Sequence, residues 1–300
     1  MDFPDYPFQS RYAHINGLRL HYIDEGPQGA DPVLLLHGNP SWSFYYRKLV
    51  LALRRDYRCI VPDHIGMGLS DKPDVADYEF TLGRRVDDLE QLIGQLEVTE
   101  DITIVLHDWG GMIGMAYASR HPQQIQRMVV LNTSAFHLPV GKTVPWQLRL
   151  ARVPVLGASL NQGLNAFCRG AVRLCVTQKP MTKEVRHAYL APYDSWRHRL
   201  AVQKFVEDIP LSAGDPAWAI VTEVAQGLSR FSGLPMLICW GMRDFVFDHY
   251  FLDEWIKRFP DAEVHRFEDA GHYILEDAAE EIAPLVIQFL ATHRTSNLEL

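Results

Sequence analysis

Asp108 stands where an apolar β-type run, Ile102-Thr-Ile-Val-Leu-His107, breaks into Asp-Trp-Gly-Gly. A short strand that stops at a glycine-flanked residue before a helical pattern is the arrangement that lifts a nucleophile onto a strand-to-helix elbow. Here the nucleophile would be a carboxylate, not a serine hydroxyl. Val33-Leu-Leu-Leu-His-Gly-Asn-Pro40 repeats the form, a strand followed by an abrupt turn, and that turn can bring backbone N–H groups close to Asp108. Together the two segments point to covalent catalysis by a carboxylate.

Two further segments carry residues of catalytic type at the ends of β-type runs: Asp244 in Gly241-Met-Arg-Asp-Phe245 and His272 in Asp269-Ala-Gly-His-Tyr273. Ligands of open α/β sheets sit beyond the carboxyl ends of the strands, so four such ends define one expected site. The order nucleophile, acid, histidine resembles that of the α/β-hydrolase elbow group. Asp248 competes with Asp244 for the orienting acid; Asp244 is preferred because it stands four residues after Trp240, in the turn itself. Each residue also has a plainer reading. Asp108 would serve as a helix N-cap, His272 as a hydrogen-bonded loop histidine and Trp109 as core. A tryptophan directly after a nucleophile is expected to line a pocket.

The elements that must position these residues are legible as a rhythm. Val33–Leu36, Cys59–Pro62, Ile102–Leu106, Met128–Asn132, Met236–Trp240 and Val264–Phe267 are apolar runs separated by longer amphipathic stretches. This predicts an α/β fold with a mostly parallel sheet and helices on both faces. Asn16-Gly17 between Arg11–Ile15 and Leu18–Ile23 predicts an opening antiparallel hairpin. Between Met128–Asn132 and Met236–Trp240 no strand is evident and prolines recur, so we expect a helical cap, 134–215, inserted between core segments 1–133 and 216–300. In it Val153, Val155, Leu156, Leu160, Leu164 and Phe167 recur at near-helical spacing. Packing within the core is one reading; facing the sheet across a long pocket is the other.

Composition limits the partners. A 300-residue chain with 47% hydrophobic and 22% charged residues has enough apolar material for a full core. Its net charge of −8 argues against a nucleic-acid partner, because phosphate binding needs a basic face. The charge is uneven: residues 135–215 carry +6 and the remainder −14. Solvated helix faces account for this, or docking to an acidic partner or anionic surface. Apolar runs are far shorter than the roughly 18 residues of a membrane span, and the start MDFPDYPFQS lacks an apolar signal region, so a cytoplasmic location is expected. Cys59, Cys168, Cys175 and Cys239 have neither CxxC nor zinc-ligand spacing and read as buried thiols. No cofactor and no metal is implied.

From about Phe8 to Leu290 the chain resembles the haloalkane-dehalogenase group of the α/β-hydrolase superfamily, through HGNPSW (37–42), VPDHIGMGLSDKP (61–73), HDWGGMIG (107–114), WGMRD (240–244) and AGHYILED (270–277). The resemblance implies Asp108 as nucleophile, with Asn39 and Trp109 holding the leaving group. One branch of that group uses a glutamate after the sixth strand as the acid; Asn132 stands near there, so Asp244 is implied instead. A further resemblance, to the β-lactone decarboxylases of bacterial long-chain olefin synthesis, extends into the cap through NTSAFHLP (132–139), VPW (144–146), AYLAPYDSW (188–196) and DIPLS (208–212). Cap sequences diverge quickly, so this likeness moves the expectation from halide to lactone.

The leading expectation is decarboxylation of a long-chain cis-β-lactone to a cis-olefin and carbon dioxide, with another enzyme of that pathway as a partner. The alternative is a haloalkane dehalogenase, in which Asp108 forms an alkyl ester that water, activated by His272, hydrolyses. In either, backbone N–H groups of Asn39 and Trp109 would form an oxyanion hole. An epoxide hydrolase is less favoured because Asn39 replaces the usual aromatic after His-Gly, although Tyr189 and Tyr193 in the cap suit it. A non-catalytic binding module would be marked by loss of a triad member, and none is lost. Serine esterase chemistry is disfavoured because Ser70 lies outside the elbow.

Overall fold

The computed structural model describes residues 3–294. Eight strands form one sheet in the order β1-β2-β4-β3-β5-β6-β7-β8. They are β1 (Arg11–Ile15), β2 (Leu18–Glu25), β3 (Pro32–Leu36), β4 (Arg58–Pro62), β5 (Ile102–Asp108), β6 (Ile125–Thr133), β7 (Met236–Gly241) and β8 (Glu263–Phe267). β1 and β2 form the expected hairpin, β2 runs antiparallel to β4, and every later pairing is parallel. Each of β3 to β7 is almost wholly buried along its length. Helices cover both faces, which is why these runs read as continuously apolar and do not alternate.

The strand order reverses at β3 and β5, whose neighbouring carboxyl ends therefore form the switch point of the sheet. Around the sheet lie α1 (Arg47–Leu53), α2 (Leu82–Gln95) and α3 (Trp109–Arg120). Between β6 and β7 come α4 (Trp146–Ala151), a short α5 (Leu156–Ala158) running into a π-helical turn (Ser159–Gly163), α6 (Ala166–Leu174), α7 (Lys183–Leu190), α8 (Leu200–Glu207) and α9 (Trp218–Gly227). Three helices close the chain: α10 (His249–Arg258), α11 (Ile274–Asp277) and α12 (Ala279–Thr292).

Ser70 is structural. Its hydroxyl donates to the Asp63 carbonyl at 2.6 Å and accepts from the His21 backbone N–H at 2.8 Å. The Asp63 carboxylate in turn accepts from the N–H groups of Ser43 and Leu69, fixing the loop after β4. All four cysteines are buried, and burial pushes the Cys168 thiol up to about 12.

One expectation about the inserted segment needs correction. Of the six apolar residues at near-helical spacing, only Leu160 and Phe167 line the cavity; Val153, Val155, Leu156 and Leu164 face solvent. The chain there forms no continuous helix. Pro154 stops α4, and Val155 adopts φ 64° with ψ −52°, so the phase of the apolar spacing is broken.

Candidate active site

Asp108 is the last, buried residue of β5, with φ 51° and ψ −125°, a conformation that non-glycine residues avoid. The next residues must approach other backbones closely. A Cβ on Gly110 would lie 1.9 Å from the Leu36 carbonyl oxygen, and one on Gly38 would lie 1.9 Å from Asp108 Oδ1. Glycine at both positions is what lets the turns after β3 and β5 meet. Thr133 Oγ1 donates to the Asp108 carbonyl, fixing the elbow to the end of β6. Asp108 sits at the N-cap position of α3, yet its side chain makes no capping bond to that helix.

The Asp108 carboxylate is oriented by one backbone donor, with a second N–H beside it. The Asn39 N–H reaches Oδ1 at 2.6 Å, and the neighbouring Trp109 N–H favours the charged form. Oδ2 faces His272 Nε2 at 3.6 Å. His272 Nδ1 lies 2.8 Å from Asp244 Oδ2, and Asp244 Oδ1 accepts the Val246 N–H at 2.7 Å. Asp248 takes a different position: it caps α10 through the Tyr250 N–H and pairs with Lys142. The structure thus brings Asp108, His272 and Asp244 into one chain of contacts, with Asn39 and Trp109 beside them.

Electrostatics follow from that burial. Desolvation, the largest influence, raises the Asp108 pKa above its ordinary 3.8, against the opposing pull of His272 and the two N–H donors. Desolvation also pushes His272 down, but the Asp244 and Asp108 carboxylates outweigh it, so His272 ends above its ordinary 6.5. An anionic carboxylate beside a histidine ready to hold a proton is the stable pairing.

Asn39 and Trp109 line a cavity of about 320 Å³ together with Asp108 and His272. The walls are otherwise mostly apolar, including Met112, Phe136, Leu148, Leu160, Phe167 and Phe247. The Trp109 indole N–H has no acceptor among the described residues. Asn39 Nδ2 donates to the Val202 carbonyl of α8 at 3.1 Å, and its Oδ1 is buried without a described partner. One amide hydrogen of Asn39 is therefore already committed. Tyr189 and Tyr193 do not line the cavity. Tyr189 bonds to Glu276 at 2.6 Å and Tyr193 to the Ser41 carbonyl at 3.2 Å, which removes the cap feature that suited epoxide opening. Among the described residues no group of three or more His, Cys, Asp or Glu side chains is disposed to hold a metal ion.

Several residues take supporting roles that were not apparent in the sequence. Asn132, at φ 31°, donates from Nδ2 to Asp244 Oδ2 at 3.1 Å and accepts the Gly241 N–H at 2.7 Å, so it holds the acid where the histidine meets it. Arg85 of α2 pairs with Asp208 at 3.1 Å and lies 3.6 Å over the Phe205 ring, which packs edge-on against Trp109 at 5.3 Å. Asp277 accepts the N–H groups of Gly271, Thr177 and Gln178, fastening the histidine loop to the segment after α6. Asn132 and Asp277 lie within the quoted segments NTSAFHLP and AGHYILED but had no role assigned there, and Arg85 belongs to no motif.

Comparison with known proteins accords with this geometry. Residues 31–279 match the family model described as the alpha/beta hydrolase fold. Two relatives carry the name cis-3-alkyl-4-alkyloxetan-2-one decarboxylase. The one from Shewanella oneidensis is 52% identical over 96% of this chain and 90% of its own length. The one from Xanthomonas campestris pv. campestris is 46% identical over 97% of this chain and 98% of its own. Among solved structures, a loop variant of a haloalkane dehalogenase from Bradyrhizobium elkanii superposes with a TM-score of 0.84 at 26% identity, covering 95% of this chain and 97% of that one. The chain belongs to the α/β-hydrolase family, with an 8-stranded, mostly parallel sheet, and it is an enzyme.

Proposed function

We propose that the enzyme is a β-lactone decarboxylase that converts a long-chain cis-β-lactone to a cis-olefin and carbon dioxide, with Asp108 as nucleophile. The observation that carries this reading is identity to the two named decarboxylases across nearly the whole chain, the segment between β6 and β7 included. We assign 134–215 as the cap and 1–133 and 216–300 as the hydrolase core. The apolar cavity suits two alkyl arms, and its volume is within the ordinary range for small-molecule sites.

In the proposed reaction Asp108 Oδ2 attacks the ring carbon bearing oxygen, since Oδ1 is held by the Asn39 N–H. The ring C–O bond breaks with inversion and its electron pair goes to the released carboxylate. The indole N–H of Trp109 and the uncommitted Asn39 amide hydrogen meet that charge. Next the C–C bond to the carboxylate breaks anti to the Asp108 ester bond. Carbon dioxide departs, the electrons form the alkene, and Asp108 leaves as carboxylate with both its oxygens. Inversion followed by anti elimination is net syn loss, so a cis-lactone gives a cis-olefin. His272, oriented by Asp244, holds a proton beside the changing carboxylates.

A second reading, haloalkane dehalogenase, is favoured by one observation: an indole N–H without an acceptor at the position where a halide would depart. There Asp108 displaces halide, and water activated by neutral His272 cleaves the ester at its acyl carbon, with Oδ1 on the Asn39 N–H. Turnover in ¹⁸O-water separates the two. Hydrolysis of an aspartyl ester places label in the Asp108 peptide; decarboxylation leaves it unlabelled. Labelled Asp108 with a hydroxy acid as lactone product would overturn the decarboxylase reading.

No helix of the described residues is long and apolar enough to cross a membrane. Our reading places the enzyme in the cytoplasm, supported by four unpaired cysteine thiols, which suit a reducing compartment. Its substrate is a hydrophobic small molecule, supplied by an enzyme of olefin synthesis that closes the lactone ring.

A further inference from the structure

The segment from Val140 to Leu174 holds a disproportionate share of exposed apolar side chains. Of thirteen large hydrophobic residues exposed among the described residues, eight lie in this stretch, with Trp146 at 70%, Val155 at 80% and Leu164 at 62% exposure. Isolated surface apolar residues need no explanation, whereas a contiguous set does. Trp146, Leu150 and Leu174 are at once exposed and part of the cavity wall, so the apolar surface is the rim of the mouth. The α4, α5, π-turn and α6 elements pack on one another in succession, which makes the rim one surface.

Val155 stands out within it. Its φ of 64° and ψ of −52°, with the Leu156 N–H bonded to the Pro154 carbonyl at 2.7 Å, form a γ-turn of the strained, positive-φ kind. A β-branched residue held in that conformation and pointed at solvent is a feature to explain by something that meets it.

The charge on this surface selects the partner. Residues 109–183 contain no aspartate or glutamate. Lys142 and Arg152 pair with acids from elsewhere in the chain, but Arg149, Arg169 and Arg173 are exposed and have no ion-pair partner among the described residues. Apolar side chains interleaved with unpaired cations fit the boundary between anionic headgroups and acyl chains. A second copy fits poorly, because a two-fold contact would set the same cations against one another.

We infer that this cap face docks reversibly on an anionic phospholipid surface, so that the cavity mouth opens onto the bilayer and takes its substrate from it. The inference deepens the proposed function, since a lactone with two long alkyl arms partitions into lipid and the mouth would receive it without a passage through water.

The test uses the purified full chain and flotation with phosphatidylglycerol/phosphatidylcholine vesicles, with phosphatidylcholine alone as comparison. The wild type should float with the anionic vesicles and be released by high salt. The variant Arg149→Gln/Arg169→Gln/Arg173→Gln should lose about a hundredfold in partitioning, at roughly fivefold per cation. Leu156→Ser/Leu164→Ser should also weaken flotation, and Arg55→Gln, on the hydrolase core, should not. Both rim variants should turn over a short, water-soluble β-lactone at the wild-type rate while losing kcat/KM on a long-chain lactone held in anionic vesicles. Absence of wild-type flotation, or equal flotation of the rim variants, overturns the inference. So does a dimer in solution that the same variants dissociate without any vesicle binding, or capture by an acidic protein with no vesicle binding. Flotation is read without substrate, so failure to turn over any lactone would count against the proposed function alone.

Discussion

The carboxyl ends of β3 and β5 and the cap rim between Val140 and Leu174 both hold residues in unfavourable backbone conformations, and they do so in opposite surroundings. Asp108 at φ 51° is buried, bonded through both side chain and carbonyl, and backed by glycines that admit no Cβ. Val155 at φ 64° is exposed, and it is tied through backbone alone, by the turn bond from the Leu156 N–H to the Pro154 carbonyl and by the Ser159 N–H on its own carbonyl. Strain surrounded by packing gives a fixed geometry for chemistry. Strain at the surface leaves a segment free to adapt to what it touches. On this comparison, substitutions at the sheet ends should act on rate, and substitutions at the rim on delivery and stability.

The largest effect is expected at Asp108. Asp108→Ala should lower lactone turnover by at least about 10⁴-fold, as for loss of a nucleophile, with circular dichroism unchanged. Retained activity of more than a few per cent in a folded variant would break the assignment. Asp244→Asn should cost about 10²–10⁴-fold by analogy with other orienting acids, because it leaves His272 Nδ1 without its anionic partner. A change of less than threefold in kcat would mean that Asn132 and Val246 position Asp244 for reasons unrelated to the histidine.

Arg85→Met tests the packing behind Trp109. It strands Asp208, whose pKa burial already raises to about 6, and removes the cation stacked on Phe205. A loss of about 3–5 kcal/mol in chemical denaturation is expected from breaking a buried pair, with most of it recovered in Arg85→Met/Asp208→Leu. If the double variant is no more stable than the single one, the pair is not the source of the loss.

A pH profile sharpens the choice of chemistry. Protonated Asp108 cannot attack, so the rate should fall as pH drops through a value above the ordinary 3.8. Hydrolysis of an aspartyl ester additionally needs neutral His272, so halide release should rise with pH through a value above 6.5. Decarboxylation needs no water base and should lack that second limb; its appearance in lactone turnover would favour hydrolysis. The smallest effect is expected at the rim. Val155→Gly relieves the positive φ while freeing the unfolded chain, and should change stability by less than about 1 kcal/mol. A larger loss would show that Val155 packs as a core residue does.

The sheet and the residues at its ends were legible in the sequence, because both depend on local chemistry. Buried parallel strands must be apolar on both faces, so β3 to β7 announce themselves as runs such as Val33–Leu36 and Ile102–Leu106. The sharp strand-to-helix turn requires glycines close by, so Asp108 is marked by its neighbours within three residues. Local sequence favoured Asp244 over Asp248 as the acid that meets the histidine, but the physical reason lies in contacts between distant segments. Asp244 and Asp248 are one helical turn apart in sequence, and the choice rests on Asn132, 112 residues away from Asp244, holding one of them while α10 takes the other. Only the tertiary structure decided that Val155 and Leu164 face solvent while Leu160 and Phe167 face the cavity. Apolar spacing fixes a face only along a continuous helix; once Pro154 and a positive φ interrupt the chain, the direction of each side chain is set by what packs beneath it.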